Sequence, residues 1–523
     1  MTRFARNKSK RARERSREAP KFAPYPQLAA ADAEEAFFSD EIMDLSIESV
    51  TPGGKALARA ADGRVVFVDL GMPGQKVRAK VIRQKSGYLE ARRAEVLSPA
   101  PEQEAPFCVH FGKCGGCIWQ EIPYARQLEF KRAHILENLA RLGRVQNADG
   151  AQGLGLLKAI TAPVLPSPTQ RHFRGKIELV FGEDAVRAKG GAKKPLAVGD
   201  PPLLGFRQLG SHEVVDITSC PIADVRLPEL LVEVRTWAAE SGLRAYVARA
   251  SAPGEERDIS AVLRFLVLRV SRLTGCAAVE LITAPAPQAA KRIRALGEAL
   301  PERLPWVESF THSVRRSEAP VAYGEEIMLH LGSPYLSEGL AGFKYELSPA
   351  SFFQVNPAAA EVLLAEGMRL LAPKPDEVIW DLYAGAGAFS LPLAASGAKV
   401  TGLEANPAAV ADARRNAANN NLKSCVFLEG DVRTLLRKQL LSGAARPDAV
   451  LADPPRAGLH ADVAAGLLRL KPGRILLVSC HMATLARDLG ILSKGYDLQA
   501  VQGVDLFPHS AHVEVLCLLG ARE

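Results

Sequence analysis

The sequence predicts an α/β protein: a doubly wound, mostly parallel sheet in the C-terminal third, preceded by a small β-barrel and a mixed α+β middle region. Two patterns predict it. From residue 351 onward, apolar runs (EVIWDL, KVTGLE, CVFLEGD, DAVLAD, RILLVSC) alternate with Ala-rich stretches of helical period, as strands joined by helical crossovers do. Between 41 and 98, short alternating segments broken by glycine (DLSIESV, KALARA, RVVFVDL, KVRAKVIRQ, YLEARRAEVL) have the spacing of a small barrel.

Bulk composition narrows the function classes. The 523 residues carry a formal charge of +8 and eight cysteines. No apolar run approaches the roughly 18 residues of a membrane helix, and MTRFARNKSKRARERSR has no apolar block to act as a secretory signal. The expected address is the cytoplasm, with no membrane association and no obligate protein partner. Cysteines in a long chain of this kind fit a metal site better than a disulfide framework.

Residues 1–40 read as a basic, disordered arm and linker, dense in arginine and lysine from Arg3 to Arg17. Such an arm is either a solubilising tail or a phosphate-seeking one. The barrel at 41–98 adds Lys76, Arg78, Lys80, Arg83, Lys85, Arg92 and Arg93 against Glu90 alone between 76 and 93. A barrel with one basic face is a common way to hold an RNA backbone.

Residues 99–350 form the middle region. After the linker PAPEQEAP comes FCVHFGKCGGCIWQ, with Cys108, Cys114 and Cys117 inside ten positions, then a helix over 123–142. The strand-like pieces KIELVF, HEVVDI and LRFLVLRV follow, with a loop expected at 187–202.

In residues 351–523 the strand ends matter most, because ligands on such sheets sit at the carboxyl ends of strands. VIWDL leads through Tyr383 into the glycine turn Ala384-Gly385-Ala386-Gly387 at a helix start, suited to close ligand approach. The next strand delivers Glu404, placed for ribose hydroxyls, and a third delivers Asp431. Ser390 stands where a dinucleotide fingerprint needs its third glycine, so S-adenosylmethionine is favoured over a nicotinamide dinucleotide. Asp453-Pro454-Pro455-Arg456 stiffens a carboxylate beside that pocket; an arginine rather than an aromatic residue in fourth place argues against amine methylation. Cys480 closes a strand on the ligand side, whereas Cys276, Cys425 and Cys517 lie inside apolar runs as small hydrophobes. FPHSAHVE supplies His509, His512 and Glu514; between Val513 and Val515 a buried carboxylate gains proton affinity, as a general base requires, and a salt-bridged structural glutamate is the competing reading, outweighed only by the presence of Cys480.

Together CVHFGKCGGC, SFFQVNP, DLYAGAGAFSLPLA, ADPPRAGL, VSCHMATLARDL and FPHSAHVEV resemble the RNA uracil-5-methyltransferase family, in particular its iron-sulfur branch acting on 23S ribosomal RNA. The resemblance runs from about residue 42 to the end. It implies a TRAM/OB-like barrel, a central domain, and a Rossmann-like seven-stranded methyltransferase domain. It also implies that Gln354, Tyr383, Glu404, Asp431 and Asp453 contact S-adenosylmethionine, that Phe352 and Arg456 lie at the target base, that Cys480 is the nucleophile and Glu514 the base. Cys108, Cys114, Cys117 and Cys220 (in DITSCPIAD) would hold a 4Fe-4S cluster; from spacing alone, four thiolates serve zinc equally. Two departures stand out: the nucleophile is followed by His481-Met482 where the family usually has Asn-Pro, and Ala384 and Ala388 replace Cys and Asn often found in the glycine loop. The implied reaction is methylation of uridine carbon 5 in RNA, foremost 23S ribosomal RNA, through a cysteine adduct. A transfer RNA methyltransferase, a non-catalytic RNA-binding assembly factor and a nicotinamide oxidoreductase are the rivals.

Overall fold

The computed structural model describes residues 41–142, 151–183, 186–187, 193–194, 201–246, 259–349, 351–442 and 446–522. The basic arm expected over 1–40 lies outside them, as does most of the loop expected at 187–202, where Val186–Arg187 and Lys193–Lys194 pair as two short antiparallel strands.

Strands Ile42–Val50, Ala56–Arg59, Val65–Val68, Lys76–Gln84 and Tyr88–Ser98 close into a barrel. Period-two alternation explains it: Val77, Ala79 and Val81 point inward with Leu45, Val66, Val68 and Leu89, while Lys76 and Lys80 point to solvent. The basic face is smaller than the sequence implies. Arg93 forms a two-pronged ion pair with Glu121 (2.5 and 3.0 Å), Arg78 pairs with Asp44 (2.9 Å), and Arg92 donates to the Leu209 carbonyl (3.2 Å). These three arginines brace the barrel internally or against the residues that follow it.

The middle region is an eight-stranded sheet built around Ala261–Val270, Ala277–Thr283 and Val307–Val314, with helices Leu227–Ser241 and Ala290–Arg303 packed on it. KIELVF, HEVVDI and LRFLVLRV all supply strands of this sheet, as expected.

The C-terminal sheet has seven strands side by side in the order Cys425–Glu429, Lys399–Glu404, Val378–Leu382, Ala449–Ala452, Arg474–Ser479, Glu514–Ala521 and Tyr496–Val504. Glu514–Ala521 runs antiparallel to both its neighbours, Arg474–Ser479 and Tyr496–Val504. Helices Pro357–Leu371 and Pro407–Asn419 cover one face; Val432–Ser442, Ala461–Leu470 and Met482–Leu492 cover the other. On this second face also lies Tyr124–Leu142, through Ile135 and Leu139. Thus a helix that sequence order assigns to the middle region is part of the C-terminal core. Among the described residues no helix is long and apolar enough to cross a membrane.

Candidate active site

Strand register brings the candidate residues to one edge. Leu382 pairs with Leu403 and Ala452, and Ala452 with Leu477, so the parallel strands release Tyr383, Glu404, Asp453 and Cys480 at the same edge, the Arg474–Ser479 strand running two residues further than its neighbour. Ser479 pairs with Val515 across the antiparallel junction, so Cys480 comes opposite Glu514, the first residue of its strand.

The electrostatics fit that proximity. Burial raises Glu514 to about 8; Asp453 pushes it further up and Arg456 opposes. Burial alone raises Asp453 to about 7. The Cys480 thiol is raised by burial to about 11, the Glu514 charge adding, while the Arg456 guanidinium opposes this and favours its thiolate. A thiol, a cation that favours its anion and a carboxyl able to take up a proton near neutral pH therefore share one site.

The glycine turn beside it is shaped for close approach. Tyr383 and Gly387 have φ of +65° and +92°, and a Cβ at Gly387 would lie 2.8 Å from Leu391. The Glu404 carboxylate accepts the N–H of Gly385 (3.0 Å) and of Asn406 (2.7 Å), and a carboxylate has lone pairs to spare beyond these two. Asp431 is engaged by Arg433 (3.0 Å) and by the Thr434 N–H (3.2 Å), at the start of helix Val432–Ser442. In SFFQVNP, Phe353 is buried against Tyr345 and Ser351 is buried, its carbonyl accepting from Arg269 at 2.7 Å. Phe352 between them is 66% exposed, and Gln354 is half-buried next to it.

Several contributors were not legible from the sequence. Ser390 donates its hydroxyl to Asp381 at 2.5 Å, and both are buried; burial lifts Asp381 to about 7, with that hydrogen bond opposing. His481 caps helix Met482–Leu492, its ring accepting the Thr484 N–H, while the Thr484 hydroxyl donates to the Arg456 carbonyl at 3.1 Å. Asn356 caps helix Pro357–Leu371 and donates to the Leu506 carbonyl at 3.0 Å. The ionic spacing of Lys131 and Asp505, 374 positions apart, gives no sequence signal at all.

Cys108, Cys114, Cys117 and Cys220 are all half-buried free thiols, and the neighbouring thiols add to the raised proton affinity of Cys114, Cys117 and Cys220. Burial, the larger cause, lifts Cys114 to about 11 and Cys117 to about 12. The Gly116 N–H donates to Cys114 Sγ at 3.4 Å, and the backbone of Ile222 and Ala223 donates to Cys220. Among the described residues no three His, Cys, Asp or Glu side chains stand close enough together to hold a single metal ion. Cys425 and Cys517 are buried within apolar cores, as expected, and Cys276 is half-buried.

The chain is similar to known RNA methyltransferases. The family model described as tRNA (Uracil-5-)-methyltransferase matches residues 326–522, and that of the TRAM domain matches 40–93. A Nitratidesulfovibrio vulgaris protein called an uncharacterized RNA methyltransferase is 37% identical over 493 residues, covering 94% of this chain and 98% of its own. One of the same description from Porphyromonas gingivalis is 31% identical over 489 residues, covering 92% and 99%. The crystal structure of Pyrococcus abyssi tRNA (uracil-54, C5)-methyltransferase in complex with S-adenosyl-L-homocysteine matches with a TM-score of 0.68 at 26% identity, covering 91% of this chain and 99% of that one. Fold and site thus define an S-adenosylmethionine-dependent methyltransferase that acts on RNA. The chain belongs to the RNA uracil-5-methyltransferase family, with a TRAM domain as its barrel.

Proposed function

We propose that this enzyme methylates carbon 5 of a uridine in 23S ribosomal RNA through a covalent adduct with Cys480. The observation that carries the reading is the register that sets Cys480 opposite Glu514, with the Arg456 charge favouring the thiolate. Carbon 5 of uracil is too weak a nucleophile to take a methyl group unaided. The Cys480 thiolate adds to carbon 6, and the electron pair of the double bond moves to make an enolate, nucleophilic at carbon 5. Bound S-adenosylmethionine supplies the electrophilic methyl group. Glu514 then removes the carbon 5 proton; that electron pair restores the double bond and the Cys480 thiolate leaves. The uridine is flipped out of its stack, since neither face is reachable within it, and the exposed Phe352 supplies a surface for it. Gln354, Tyr383, Glu404, Asp431 and Asp453 contact the methyl donor, with Glu404 on the ribose hydroxyls.

Cys108, Cys114, Cys117 and Cys220 hold a 4Fe-4S cluster. Four half-buried thiols, with N–H groups donating to Cys114 and Cys220, are a donor set whose chemistry fits a thiolate-bound cluster. Such a group holds the cysteine-bearing segments together. A single zinc ion would need these thiolates closer together than they stand; iron and acid-labile sulfide assays on anaerobically purified protein distinguish the two.

The ribosomal assignment rests on family likeness in the barrel and cysteine set. A transfer RNA target is the second reading, favoured by the Pyrococcus abyssi neighbour, whose substrate is a transfer RNA. Mapping 5-methyluridine in both RNA classes from cells lacking this protein decides: a loss confined to one 23S position supports the proposal, and a loss in transfer RNA replaces it.

A further inference from the structure

The segment 505–513 leads directly into Glu514, and the bonds that fix it come from distant parts of the chain. Its first residue, Asp505, donates its N–H to the Leu165 carbonyl (2.9 Å) and accepts from Lys131 Nζ at 2.7 Å, both side chains being fully buried. Lys131 Nζ also reaches the Phe507 carbonyl (3.2 Å). The densest bonding is at His509, held at φ +65°. Its N–H donates to Gln127 Oε1 (2.9 Å), and its carbonyl accepts the N–H groups of both Ile118 (3.0 Å) and Trp119 (3.1 Å). Its ring lies 3.1 Å from the Gln170 carbonyl through Nε2 and stacks edge-on against Phe107.

Gln127 and Lys131 are one helical turn apart on Tyr124–Leu142, so a single helix face grips the segment at two points. Ile118 and Trp119 directly follow Cys117. Both reacting residues stand at the ends of strands flanked on both sides in the sheet: Cys480 follows Arg474–Ser479, and Glu514, paired with Val504, opens its strand straight from the segment 505–513.

We propose that His509 and Gln127 are positioning residues that aim the Glu514 carboxyl at the carbon 5 proton, so that helix Tyr124–Leu142 and the cysteine-bearing loop govern the second half of the reaction. This rests on the reading of Glu514 as the base. Loosening the segment then leaves addition of Cys480 and methyl transfer largely intact and slows proton removal, the step that restores the ring double bond and releases the thiolate.

The test is single-turnover kinetics on Gln127→Met and His509→Asn, with Glu514→Gln alongside. Methionine keeps the length of Gln127 without its amide, and asparagine tolerates positive φ, so His509→Asn carries the test should Gln127→Met not fold. Methyl transfer is expected within about threefold of wild type, while the denaturation-resistant protein–RNA adduct decays about tenfold more slowly or worse, since small misplacements of a reacting group are costly. Equal slowing of both steps, or wild-type adduct lifetimes in folded variants, overturns the proposal. If Glu514→Gln itself traps no adduct, the base assignment falls and the positioning role with it. If Glu514→Gln traps adduct and the other two do not, the positioning role alone fails.

Discussion

Ser390 Oγ donates to Asp381 Oδ2 at 2.5 Å beneath the glycine turn, both residues being buried. That bond opposes the strong rise in proton affinity that burial gives Asp381. Ser390→Ala leaves the carboxyl without its partner and is expected to cost about 1–3 kcal/mol. Urea denaturation measures this, and calorimetry with S-adenosylhomocysteine should register weaker binding, because the turn stands on this pair.

His481 directly follows Cys480, where the resemblance leads one to expect asparagine. Its ring accepts the Thr484 N–H and caps helix Met482–Leu492, a task asparagine performs well. His481→Asn is therefore expected to retain stability and turnover, whereas His481→Ala loses about 1 kcal/mol. Thermal melts and steady-state rates on the two variants check this.

Lys131 and Asp505 form a fully buried pair at 2.7 Å. Removing one partner strands a charge, so Lys131→Met is expected to destabilise by about 3–5 kcal/mol. Lys131→Met combined with Asp505→Leu should recover much of that loss in a denaturation cycle. A double variant no more stable than the single one contradicts the account.

Burial raises Glu514 to about 8 and Asp453 to about 7 in the ligand-free protein. A carboxyl raised above its unfolded value binds its proton more tightly in the fold, so its stabilising share is present at low pH and lost as pH rises through the folded value. Stability should thus fall across pH 5 to 8.5, and Glu514→Gln should flatten part of that slope in melts against pH. Activity moves the opposite way: the base works ionised, so single-turnover adduct breakdown should rise with pH through about 8.

Much of this was legible in the sequence because it is written in local period. Alternation in KVRAKVIRQ gives a barrel strand, and the apolar runs of VIWDL, AVLA and RILLVS give parallel strands whose ends carry Tyr383, Asp453 and Cys480. Glu514 could be singled out because its valine neighbours announce burial. What the sequence could not disclose depends on partners far apart in the chain. Arg93 reads as one more solvent-facing cation until Glu121 is found against it. Helix Tyr124–Leu142 has a clear helical pattern but no mark of which sheet it joins, and Gln127 and Lys131 acquire meaning only from His509 and Asp505. His481 looked like a departure because composition records the side chain and not the hydrogen bond it replaces.

The most direct test of the central claim is to incubate Glu514→Gln with target RNA and S-adenosylmethionine, digest the denatured product, and locate the nucleotide-bearing peptide by mass. The account predicts a methylated uridine attached to the peptide through Cys480, and no attachment or turnover in Cys480→Ala. Wild-type methylation by Cys480→Ala, or a nucleotide attached to a different residue, would contradict it.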